Sequence, residues 1–286
     1  MRTTRPSLTA AARLGVLATV SVLALAACGS DDGADAEATG AAGSSATGPL
    51  RVAATAVPHA DLLTFVDTEL AADAGLDLEI VEFDDYAIGN RWLAEEEVDA
   101  NYFQHQPYLD AQEADFGYEL TAFDGVHVEP YAAFSESVTD VADLPDGALV
   151  GITDDGSNQA RALDLLAEAD LIELPDVEGD ITVFDIEENP KDLQFVETDP
   201  AQLPRSLADF DLAILNGNYF LEAGLSVEDA LLVEDAGQSP YANFLTARDD
   251  NADDERIVLL DELLRSDEVR AYIEQTWPQG DVLPAF

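Results

Sequence analysis

The sequence holds one cysteine, so an internal disulfide is excluded. It holds 12 basic residues against 60 acidic ones, a formal net charge of −48. That imbalance excludes nucleic acid as a partner, because gripping a phosphate backbone needs clustered basic groups. It also argues against broad docking on anionic lipid headgroups. The apolar run from Leu14 to Ala27 covers 14 residues, too few for a bilayer span, which takes about 20. Enzyme signatures are missing as well: there is no Gly-x-Ser-x-Gly elbow, no Walker-type loop and no His-Glu-x-x-His. With 60 acids, carboxylate pairs arise by chance, and a glycosidase reading has no specific support.

What is present starts with a leader. Met1 to Arg13 is basic (Arg2, Arg5, Arg13) and precedes the short apolar run, the layout of an export signal over residues 1–27. The run ends Leu25-Ala26-Ala27-Cys28, which resembles the lipobox of bacterial lipoproteins. On that resemblance Cys28 is the lipidated first residue of the mature chain, and the lipid is its link to the membrane, on the extracytoplasmic face. The leader contains three of the basic residues and no acid, so the remainder carries 9 basic and 60 acidic groups, a formal charge of −51. The acids are scattered, which suits a solvated surface adapted to high salt, where screening removes self-repulsion. Thermal stability should therefore rise between low and molar salt; a flat response would end that reading. After Cys28, residues 29–48 are Gly, Ala, Ser, Asp and Thr with a single Glu37 and without an aromatic or large aliphatic side chain, so 28–48 is a flexible tether by composition.

From Leu50 onward, apolar runs alternate with amphipathic ones. Strands are expected at Leu50–Ala56, Leu76–Phe83 and Val98–Phe103, with helices between them and another from Gln106 to Phe116. Further strands are expected at Tyr131–Ser135, Ala148–Ile152, Ile181–Ile186, Asp211–Leu215, Ala230–Glu234 and Tyr241–Ala247. A helix should follow Asn158, and two should close the chain. This alternation is that of an α/β protein with parallel sheets and covering helices. Two such units joined by short crossings fit a bilobed binding protein, with its site at the strand C-termini. Candidate crossings are His127-Val128-Glu129-Pro130 and Gly237-Gln238-Ser239-Pro240, giving one lobe from 49–130 and 239–286 and the other from 131–238.

Three stretches carry candidate chemistry. Asp99 to Leu109 crowds Tyr102, Phe103, His105 and Tyr108 around a strand-to-helix corner, suited to holding an apolar tail beside a polar head, or simply to core packing. Thr153 to Arg161 links a strand to a helix: Ser157 is a good N-cap, and Asn158 and Arg161 share a face of the first turn. Arg161 can aim a planar fork at a ligand carboxylate, or pair with a nearby acid. Asn216 and Asn218 follow an apolar strand, and Asn243 lies within one, where a buried amide needs a partner. An alternative is a metal site, with His59, His105 and His127 as zinc ligands.

Taken in order, the runs Asp99–Leu109, Ser157–Leu166, Glu188–Leu193, Ala201–Arg205, Ala213–Tyr219, Ser239–Asn243 and Leu283–Phe286 resemble the NLPA-type lipoproteins, methionine-binding subunits of bacterial ABC importers. The resemblance implies a type II periplasmic-binding-protein fold, not an enzyme, closing on a free amino acid such as L-methionine without a cofactor. It implies a membrane permease and a cytoplasmic ATPase as partners. It further implies that Arg161 clamps the α-carboxylate with Asn158 nearby, and that Asn243 with Asn216 or Asn218 binds the amino and carboxylate ends. Tyr86, Phe103, His105 and Tyr108 would wall the thioether pocket, where sulfur–aromatic contacts favour methionine. The chain departs from the family pattern at Ala56-Val57, Gly89 and Thr153, expected to be loop positions that bear on ligand preference.

Overall fold

The computed structural model describes residues 48–286 apart from Glu178, Asp180 and Ser239, and the side chain of Gln238. The leader, Cys28 and the tether up to residue 47 lie outside the described residues. Two mixed α/β lobes are built on separate sheets. The first sheet has six strands: β1 (Leu50–Ala54), β2 (Leu78–Glu82), β3 (Ala100–His105), β4 (Leu120–Val128), β10 (Asn243–Arg248) and β11 (Leu283–Pro284), in the order β11-β4-β10-β3-β1-β2. β1 pairs parallel with β2 and β3, whereas β10 runs antiparallel between β3 and β4. The second sheet has β5 (Ala132–Phe134), β6 (Leu149–Thr153), β7 (Gln194–Thr198), β8 (Leu212–Leu215) and β9 (Leu232–Val233), in the order β7-β6-β8-β5-β9. The chain thus leaves the first sheet after β4 and returns to it at β10.

A first helical stretch covers Ala56–Ala60, α1 (Asp61–Val66), Asp67–Ala71 and α2 (Ala72–Ala74). The other helices are α3 (Tyr86–Ala94), α4 (Gln106–Phe116), α5 (Gly156–Glu168), α6 (Gly217–Glu222), α7 (Glu255–Leu264) and α8 (Asp267–Thr276). Leu62 and Leu63 of α1 pack with Leu260 of α7 and Ile273 of α8 under the first sheet. Leu163 and Leu166 of α5 pack on Val150, Ile152 and Ile214 of the second. Each such fully buried aliphatic contributes about 1.5–3 kcal/mol against solvent exposure, which fixes the helices that present the site. Among the described residues no helix is long and apolar enough to cross a membrane.

Several sequence expectations are corrected. β4 has no counterpart among the expected strands, because Asp124-Gly125 interrupts its alternation; in the sheet its pairing with β10 shifts register twice. His127 and Val128 belong to that strand, so only Glu129 to Tyr131 lie between the two sheets there. Where a strand was expected at Ile181–Ile186 there is a short 3-10 turn, Val183–Asp185, closed by Thr182 and Asp185, and the strand β7 lies later, its half-exposed edge too polar to stand out. The N-cap of α5 is Asp155, whose carboxylate accepts from the Asn158 main-chain N–H at 3.0 Å; Ser157 sits inside the first turn. The mouth of α5 is therefore filled by the chain's own anion. Gly89 is no loop position either. It lies buried in α3, where a Cβ would come within 2.5 Å of the Phe103 ring.

Candidate functional site

One cavity of about 340 Å3, mouth included, is lined by all nine sequence-named positions: Tyr86, Phe103, His105, Tyr108, Asn158, Arg161, Asn216, Asn218 and Asn243. Only about 20 Å3 of it is open to the centre of a water molecule, so its walls are drawn close. The aromatic side comes from α3, β3 and α4, because β3 runs straight into α4 at His105. There His105 Nδ1 caps the helix by accepting from the Tyr108 main-chain N–H at 3.2 Å, and Pro107 starts the first turn. Ring centroids of Tyr86 lie 5.8 Å from both Phe103 and Tyr108, a mutually packed wall. The close approach of Phe103 to α3 depends on Gly89 having no Cβ.

Behind that wall lies a buried amide cluster. Asn90 donates to Gln104 Oε1 at 2.8 Å, Gln104 donates back to Asn90 Oδ1 at 2.7 Å, and Asn101 donates to Asn90 Oδ1 at 2.9 Å. Gln104 also reaches Asn101 Oδ1 and Thr246.

The polar side comes from α5 and α6. Asn216, at the N-cap of α6, makes no capping bond with its side chain. Instead it donates to Asn158 Oδ1 at 2.9 Å and accepts from the Tyr131 hydroxyl at 3.2 Å. Asn218 Oδ1 accepts from the Tyr86 hydroxyl at 2.5 Å, and His105 Nε2 meets Asn158 Oδ1 at 3.2 Å, two bonds that tie the aromatic side to the polar one. Because His105 Nδ1 is an acceptor, its proton sits on Nε2 and is donated to Asn158. Burial, with the Arg161 charge, pushes the His105 pKa down to about 3. Asn243, at the start of β10, accepts from His59 Nε2 at 3.1 Å.

Arg161 takes the second of the roles open to it and pairs with an acid. It is buried and forks onto Glu234, with Nε to Oε1 at 2.9 Å and Nη2 to Oε2 at 2.5 Å, and it also donates to the Glu129 carbonyl at 2.8 Å. Its guanidinium lies 4.2 Å from the Tyr241 ring centroid and 4.9 Å from that of Tyr131. These partners fix the head at the cavity, and Nη1 has no hydrogen-bond partner among the described residues.

The histidines do not assemble as a zinc triad. Among the described residues the group with metal-ligand spacing is His59, His127 and Glu129, and His105 stands apart on the cavity wall. In that group every ring nitrogen already has a protein partner: Thr55 and Asn243 for His59, Tyr102 and Glu129 for His127. Burial lowers the His59 pKa to about 4 and that of His127 to about 3, so both rings are neutral. Burial pushes Glu129 the other way, up, opposed by the nearby His59 and the Arg161 charge.

Residues 50–286 match the model of the NlpA lipoprotein family. The chain belongs to that family. It is 41% identical over 212 residues to the D-methionine-binding lipoprotein MetQ of Escherichia coli, covering 73% of this chain and 78% of the relative. It is 36% identical over 277 residues to the methionine-binding lipoprotein MetQ of Bacillus subtilis, covering 95% and 97%. A nutrient-binding protein from Burkholderia cenocepacia bound to methionine superposes with a TM-score of 0.80 at 36% identity, over 83% of this chain and all of that one (100%). These NlpA relatives are named for what they bind, methionine, and not for a metal or a reaction.

Three cavity residues of this NlpA chain escaped the sequence reading: Gln104, Glu129 and Gly217. Alternation was the available signal for Glu129, which continues the two-residue spacing of Gly125 and His127 just past the end of β4. For Gly217 the signal was Asn-Gly-Asn: a Cβ there would sit 2.3 Å from the Glu129 Cβ.

Proposed function

We propose that this chain is the lipid-anchored, extracytoplasmic substrate-binding component of an ABC importer, taking methionine or a closely related amino acid by closure of two lobes. The observation that carries the reading is one narrow cavity joining an aromatic wall to a buried guanidinium and four asparagines, in a chain whose relatives bind methionine. Arg161 receives the α-carboxylate, with Asn158 beside it. Asn243, with Asn216 or Asn218, completes the grip on the polar end. Tyr86, Phe103, His105 and Tyr108 enclose the side chain, where a slender polarizable thioether suits packed rings better than a bulky branched group. Excluding water strengthens the ion pairs at the polar end, and release needs only reopening.

The lobes divide as 49–130 with 239–286, and 131–238, and the crossings between them act as the hinge. Cys28 carries the lipid, and a permease with its ATPase receives the ligand. Calorimetry against a panel of amino acids, with and without chelator, tests the reading. L- or D-methionine should give saturable binding that the chelator leaves unchanged. Absence of binding by both, or loss of binding with chelator, would overturn it.

A further inference from the structure

We propose that Glu129 is the anion that receives a ligand's α-ammonium group, set in place for that task by His59 and His127. The inference rests on the reading that the cavity takes a free amino acid, and adds the selection rule for its amino end. The Glu129 carboxylate is buried and lines the cavity. Its Oε1 lies 2.8 Å from His127 Nε2 and 3.3 Å from His59 Nε2, and the Asn218 main-chain N–H donates to the same carboxylate. On the far side of each ring stands a hydroxyl: Thr55 at 2.7 Å from His59 Nδ1, and Tyr102 at 2.5 Å from His127 Nδ1. Burial holds the Tyr102 hydroxyl protonated, so it donates. With both Nδ1 atoms accepting, both rings carry their proton on Nε2: His127 donates it to Glu129, whereas that of His59 goes to Asn243 Oδ1 and leaves the ring against the carboxylate. An ionised carboxylate is acceptor-only, and these donors suit that state, while burial pushes the Glu129 pKa up and leaves the charge in want of a cation.

None of those donors brings charge. Arg161 is forked onto the Glu234 carboxylate; its charge is felt at Glu129, but its hydrogen bond to that residue goes to the main-chain carbonyl and not to the carboxylate. A buried carboxylate with donors but without a cation is costly until a cation arrives. Gly217 keeps the place accessible, since a Cβ there would lie 2.6 Å from Glu129 Oε2. Arg161 and Glu129 line the same cavity, one for each end of a zwitterion.

The test compares L-methionine with its α-hydroxy analogue, 2-hydroxy-4-(methylthio)butanoate, by calorimetry at neutral pH. The wild type should prefer methionine by about 30-fold or more, the loss expected when a buried charge keeps no partner. In Glu129→Gln methionine should weaken by a similar factor while the hydroxy acid changes only a few-fold, so the preference collapses. His127→Gln, acting through Glu129, should reduce the preference in part. Equal weakening of both ligands in Glu129→Gln would make the residue merely structural and overturn the inference. Equal affinity of the wild type for both ligands would overturn it without any variant. A wild type that binds neither ligand would instead bring down the amino-acid reading itself.

Discussion

The wall built by α3, β3 and α4 is aromatic, whereas the wall built by α5 and α6 is amide and guanidinium. The first is held by ring packing between neighbours close in sequence, such as Phe103 and Tyr108. The second is held by bonds that reach across the chain, such as Arg161 to Glu234 and Asn216 to Tyr131. The difference teaches that shape is encoded locally here and charge is encoded at long range. A change on the aromatic side should alter which side chain fits, and a change on the polar side should decide whether an amino acid binds at all.

The strongest way to break the comparison is Arg161→Ala. It removes a buried charged donor and should cost at least about 2–3 kcal/mol of methionine affinity by calorimetry. It also strands Glu234, so the melting temperature should fall; an unchanged dissociation constant would sink the polar wall's role. Gly89→Ala attacks the aromatic wall. The new methyl meets the Phe103 ring and should cost about 1–3 kcal/mol of stability in denaturant unfolding. A neutral result would mean the wall is looser than it looks. Tyr86→Phe cuts one bond between the walls, to Asn218, and should cost about 1 kcal/mol in affinity, with ligand preference unchanged.

His105 gives the effect most specific to one group. Its pKa falls from 6.5 in the unfolded chain to about 3 in the folded one. Below 6.5 the unfolded state takes up a proton that the folded state refuses, so stability from this group declines as pH drops from about 6.5 towards about 3. The gap in melting temperature between the wild type and His105→Gln should narrow over that range. A constant gap would show that the ring titrates alike in both states.

Legibility in the sequence follows the same division. The strand-to-helix corner at His105 was readable from adjacent residues, as was the shared face of Asn158 and Arg161. The partner of Arg161 was not, because Glu234 is one acid among 60 and is brought near by the sheet order β8-β5-β9. β4 was hidden by its bulges, and with it went Glu129, which the reading of a plain crossing passed over. Asp155 outcompeted Ser157 as the cap of α5 because its carboxylate can accept from both the main chain and the side chain of Asn158.

The amide cluster of Asn90, Asn101, Gln104 and Thr246 has a consequence for how the pocket selects. Its members are locked to one another before any guest arrives, so β3 and α3 form a mould that cannot slump around a poor fit. The entropy of ordering that surface is spent once, during folding, and does not recur with each capture and release. A carrier that must load and unload repeatedly gains from such a mould: discrimination comes from a rigid template, while turnover is left to the motion of the halves that carry it.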